Sequence, residues 1–151
     1  MKRMLAIFVL SGLSVGAFAD DVKQACTDLV LDYAYYRDQL DADKFSNIFS
    51  DDATLTVLGD VFVGKDAIKA RLQDGKNGPI TRHMMSTIRI FQQDANHASG
   101  VSYVTVYGAP QGDFPLKVDD FLAIGEYHDK FVKTDSGWKI SRRTFVPVFM
   151  N

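Results

Sequence analysis

Apolar side chains recur every three to four residues in the first third of this chain and about every second residue in its last half. Residues 21–40 contain no Gly or Pro, and Val22, Ala25, Cys26, Leu29, Val30 and Tyr33 fall on one stripe, the pattern of a long amphipathic helix. Phe45, Ile48 and Phe49 suggest a shorter helix over 43–49, which Ser50-Asp51-Asp52 ends, so the two form a helical hairpin. From His83 onward the period changes. Strand-like runs occupy 83–91, 98–107, 116–134 and 138–149, separated by turn-forming clusters at 94–96, 108–115 and 135–137. Between the halves, residues 53–58 and 61–63 read as a short hairpin through Gly59-Asp60, and Ala67, Ile68, Ala70 and Leu72 fit a third helix over 65–73. Helices first and strands afterwards imply an α+β fold in which three N-terminal helices cover one face of a curved sheet with antiparallel hairpins.

The chain opens with MKRMLAIFVLSGLSVGAFAD, in which Lys2 and Arg3 precede an apolar run from Met4 to Val15 and then Ala17 and Ala19. This is the composition of a secretory signal cleaved after Ala19. The run of roughly a dozen residues is shorter than the ~20 needed to span a bilayer, and Asp20 and Asp21 follow at once. The expectation is therefore a signal peptide at 1–19 and one domain at 20–151, exported to a periplasm or secreted, with no membrane association after cleavage. The domain's roughly 130 residues are enough for one core and too few for two. A net charge of −2, with Lys and Arg dispersed, argues against a nucleic-acid partner. The single cysteine, Cys26, excludes an internal disulfide framework, and its place in the helical stripe reads as a small buried hydrophobe, with a nucleophilic thiol as the alternative.

Four strings carry a resemblance: YAYYRDQLDADKFSNIFSDDATL at 33–55, VGKDAI at 63–68, TRHMMSTIRI at 81–90 and GEYHDKFVKTDSGWKISRR at 125–143. With the element order, they resemble the SnoaL-like branch of the NTF2-like superfamily, whose fold is a cone of curved, mixed or antiparallel sheet packed on three helices. That fold hosts dehydratases, isomerases, cyclases and non-catalytic binding modules, so it does not by itself choose a function.

The resemblance implies a set of site residues. His83, at the start of the first long strand, matches the place from which dehydratases of this fold present a general base. Tyr36 matches a helix position that aims a phenol at the substrate, with surface packing as the alternative. Asp129 matches an acid that stabilises an oxyanion, with a salt bridge to Arg142 or Arg143 on the next strand as the alternative. Tyr33, Met85, Tyr107, Tyr127 and Phe131 are the expected ligand-binding residues. Asp41 reads as a cap for the second helix. His97 lies in a turn, and His128 alternates onto the face opposite Tyr127 and Asp129.

Departures from the family pattern are equally informative. Val57 stands where the isomerase branch carries its proton-shuttling carboxylate. Val106 or Tyr107 stands where a dehydratase histidine would find an acidic partner, so a His-Asp dyad is not expected from that strand. His83 and Ile88 can both face inward only across a β-bulge. The three histidines lack metal-ligand spacing, and no metal or cofactor is implied. The function expected is a small-molecule pocket for a hydrophobic ligand, in a homodimer, performing cofactor-free dehydratase or isomerase chemistry. The alternative is an exported binding or scaffold module of the same fold.

Overall fold

The computed structural model describes residues 15–151, with side chains from Asp21; most of the expected signal peptide lies outside the described residues. Helix α1 spans Val15–Gln39 and α2 spans Ala42–Asn47, followed by β1 (Phe49–Val57), β2 (Asp60–Val63), α3 (Lys65–Asp74), β3 (Ile80–Gln92), β4 (His97–Ala109), β5 (Ala123–Thr134) and β6 (Gly137–Met150). The strands form one mixed sheet in the order β2-β1-β6-β5-β4-β3. Only β1 and β6 run parallel; every other neighbouring pair is antiparallel. Because β2 and β3 are the two edges, α3 lies in the connection that carries the chain from one edge to the other.

Local chemistry explains the boundaries. The Asp41 carboxylate accepts a hydrogen bond from the Lys44 backbone N–H at 3.1 Å, the capping role expected of it. The expected strand over 116–134 is shorter in the structure and begins at Ala123. Asp120 bonds the Phe121 N–H through its side chain at 2.8 Å, an alternative to ladder pairing, and sheet pairing resumes where the Leu122 N–H meets the Val106 carbonyl at 2.7 Å.

The inner stripe of α1, with Cys26, Val30 and Tyr33, packs on the concave face of the sheet beside Phe45, Phe49, Leu55, Ile68, Phe131 and Ile140, all essentially sealed from water. Each large side chain in that core contributes about 1.5–3 kcal/mol of apolar burial as an upper estimate. Gly125 is required by close approach, because a Cβ there would collide with the Val146 carbonyl oxygen and the Phe145 ring.

The expected bulge is present in β3. Its pairing with β4 runs in register from Ile80 opposite Ala109 to Ser86 opposite Tyr103, then slips by one residue before Arg89 opposite Val101. Thr87 takes up the extra residue with φ of 48°. Met85 before the slip and Ile88 and Ile90 after it therefore all pack on the core, and His83 keeps an inward position.

Candidate active site

A cavity of about 330 Å³ opens between the C-terminal ends of α1 and α3 and the concave face of the sheet. Tyr33 and Arg37 come from α1, Arg71 from α3, Thr81 and His83 from β3, and Tyr127 from β5. Val57, Val106 and Phe145 form apolar wall. A wider hollow of about 610 Å³ beside Asn77, Pro79 and Leu122 contains no titratable or nucleophilic side chain.

The organising contact is between His83 and Asp38, whose side chains are each 8% exposed. The Asp38 carboxylate accepts from the His83 backbone N–H at 2.7 Å and from the Thr81 hydroxyl at 3.0 Å, and its Oδ1 lies 2.6 Å from His83 Nδ1. Burial alone would raise the Asp38 pKa, but the His83 ring, its positive form, the His83 N–H and Thr81 together hold it below its ordinary value of 3.8. Asp38 is therefore ionised at neutral pH and can only accept. Nδ1 must carry the shared proton, which leaves Nε2 of the neutral ring with a lone pair. No described residue bonds Nε2, and the ring lines the cavity. It also borders an outer groove with Leu31, Tyr35 and Met84.

Beneath the cavity, Arg143 makes a bidentate ion pair with Asp129 at 2.7 and 2.6 Å, and both side chains are fully buried. The guanidinium lies 4.1 Å from the Tyr33 ring centroid and 4.6 Å from that of Tyr127, so it underpins both cavity phenols. Burial, and then Tyr33, pushes the Tyr127 phenol well above its usual range against the opposing pull of Arg143. Tyr127 thus stays protonated at neutral pH and able to donate. Among the described residues no group of three or more His, Cys, Asp or Glu converges as a metal site would require.

The sequence profile of the SnoaL-like domain matches residues 21–144. The chain belongs to the SnoaL-like family. No curated protein matches the sequence, but solved structures do. An NTF2-like protein with a cystatin-like fold from Novosphingobium aromaticivorans superposes with a TM-score of 0.77 at 19% identity, over 95% of this chain and 92% of that one. A provisionally named scytalone dehydratase of the same organism gives 0.76 at 23%, over 89% of each chain. The hexachlorocyclohexane dehydrochlorinase LinA-type3 of Novosphingobium barchaimii gives 0.75 at 17%, over 89% of this chain and 92% of that one. At these identities the likeness establishes the NTF2-like fold.

Within this SnoaL-like cone the expected site residues divide. His83, Tyr33 and Tyr127 line the cavity. Tyr36 does not; it is half-buried at the edge of the core, beside Tyr35 and with Lys44 Nζ 5.8 Å from its ring centre, and Tyr33 is the α1 phenol that faces the cavity. Asp129 is committed to Arg143, the salt-bridge alternative. Phe131 is sealed in the core, Met85 borders the outer groove, and Tyr107 lies on the outer face, where it is 40% exposed. The residue missed by sequence reasoning is Asp38. The dyad acid comes from α1, whereas Val106, opposite His83 in the ladder, is cavity wall. A signal was present: Val30, Ala34 and Asp38 advance by four residues, so the buried flank of α1 runs straight into a carboxylate.

Proposed function

We propose that this SnoaL-like protein is a cofactor-free acid–base catalyst, a dehydratase or isomerase acting on a small hydroxy or carbonyl compound, with His83 as its base. The observation that carries this reading is the 2.6 Å contact between His83 Nδ1 and Asp38 beside the cavity, because it fixes the tautomer that leaves Nε2 free to accept a proton. In an elimination, Nε2 takes the proton on the carbon next to a carbonyl, and the C–H electron pair moves into the carbonyl to form an enolate. Asp38 stabilises the resulting imidazolium, and a phenol of the Tyr33–Tyr127 pair that lines the cavity donates to the enolate oxygen. Collapse of the enolate forms the double bond, breaks the bond to the β-hydroxyl, and the imidazolium returns its proton so that water leaves. In an isomerisation the same proton returns to another carbon. The binding-module alternative drew its support from the missing acidic partner, which Asp38 supplies.

The test is proton NMR in heavy water with a panel of β-hydroxy carbonyl compounds. Wild-type protein is expected to exchange the α-proton and release water, and His83→Gln to slow both by about a hundredfold or more. Ligand binding without exchange in the wild type would instead establish a binding module.

We further propose export and dimerisation. Cleavage after Ala19 would retain every described buried residue of α1, the first being Val22; N-terminal sequencing of protein recovered outside the cytoplasm should then begin at Asp20. On the outer sheet face, Tyr103 and Val146 flank Glu126 in register and are exposed, a surface suited to a second copy, and sedimentation should give the mass of a dimer.

A further inference from the structure

The cavity holds two more charged groups that the acid–base reading does not use. Arg37 lies one helical turn beyond Tyr33 on α1, and Arg71 lies in the last turn of α3, its guanidinium 5.2 Å from the Phe62 ring centre. Both are half-buried and both line the cavity with His83. No described carboxylate lies within ion-pair distance of either; no Asp or Glu side chain lines the cavity, and the main-chain carboxylate of Asn151, which borders it, is paired with neither arginine. Arg143 is the internal contrast, since its charge in the same interior is matched by Asp129.

An arginine near the end of a helix can simply complement the helix dipole, a role that a side chain directed to bulk water performs equally well. These two instead reach one cavity from different helices, half-buried and without an ion-pair partner, where only the Phe62 ring beside Arg71 offsets part of the lost solvation. A bound anion would satisfy both guanidiniums, and their planar donor forks suit a carboxylate. The volume of about 330 Å³ is near the lower limit for ligand pockets, which restricts the guest to a small molecule.

We infer that the substrate is a small organic acid, its carboxylate held by Arg37 and Arg71, its apolar body against Val57, Val106 and Phe145, and its acidic carbon presented to His83. The placement of the acidic carbon rests on the acid–base reading above; the recognition of the anion does not.

The test is calorimetric titration of the full protein with phenylacetate and hexanoate, each against its uncharged amide. At least one acid is expected to bind about tenfold or more tightly than its amide, as the loss of one charged hydrogen-bonding partner implies. Arg37→Gln and Arg71→Gln should each abolish that preference without altering the thermal transition. Arg37→Lys and Arg71→Lys should retain part of it, and Lys130→Gln, on the outside of the sheet, should retain all of it. Acids and amides bound alike, or neither bound, would overturn the inference, as would a preference that survives loss of both arginines. Selective acid binding with no proton exchange on any panel compound leaves the anion site standing and removes the acid–base reading. Exchange with no preference for acids does the reverse.

Discussion

Two carboxylates in this molecule are each paired with a basic side chain, and they serve different ends. Asp129 and Arg143 join adjacent strands at 2.6–2.7 Å with both side chains fully sealed, and two of the guanidinium nitrogens are spent on the carboxylate. Asp38 and His83 join a helix to a strand at 2.6 Å with each side chain 8% exposed, and one ring nitrogen remains unengaged beside a cavity. Burial and short distance are common to both, so neither property marks the reactive pair. The difference is access: Arg143 Nη1 is also without a partner but is sealed from any space, whereas the free His83 nitrogen faces a cavity that a substrate can enter.

Breaking the sealed pair should have the larger effect on stability. Arg143→Leu leaves a buried carboxylate unmatched and is expected to destabilise the fold by about 3–5 kcal/mol, measured by urea denaturation. Changing Asp129 to Leu in the same chain should recover most of that loss, because two apolar groups can replace a sealed ion pair. A double variant as unstable as the single one would mean that Arg143 acts mainly through its contacts with Tyr33 and Tyr127.

Asp38→Asn should cost less stability, about 2 kcal/mol, because the pair stands at the cavity edge and an amide can still accept from the His83 N–H. The same change is expected to slow turnover by about a hundredfold, since it no longer fixes the tautomer or stabilises the imidazolium. Its stability cost should also depend on pH. The folded protein holds the Asp38 carboxyl below its ordinary value of 3.8, so the wild-type advantage is fully present above that value and disappears as pH falls through the lower folded value. Denaturation near neutral pH and again at about pH 3 would show the gap closing; a gap that widened in acid would contradict the ionised assignment.

The architecture was largely legible in the sequence because it rests on periodicity, and periodicity is local. The α1 stripe, the Asp41 cap and even the bulge between His83 and Ile88 follow from counting side chains along one element. The site was less legible because it joins elements. His83 stood out as a titratable group on an inward strand position, but its partner lies 45 residues earlier on a helix. Only the packing of α1 against β3 brings Asp38 to it. The same limit explains Tyr36: it stands three residues after Tyr33, only about 60° away around the helix, so which phenol faces the cavity depends on the helix's rotation against the sheet. That rotation puts Tyr33 and Arg37 in the cavity and Tyr36 outside it.

The smallest effect belongs to Cys26, which reports on the sealed side of the comparison without taking part in it. Its thiol is fully buried, and burial, followed by the nearby charge of Asp129, pushes its pKa up to about 12. An ordinary thiol is substantially ionised at about pH 9 and reacts with iodoacetamide at that pH. In the folded protein Cys26 is expected to react only through unfolding, so modification should be negligible in native buffer and rapid in urea. Asp38→Asn should accelerate it only as far as its loss of global stability allows, whereas Arg143→Leu should accelerate it much more. Rapid native-state modification of the wild type would mean that the interior around Asp129 and Arg143 opens locally, and the distinction between a sealed pair and an accessible one would then fail at its sealed end.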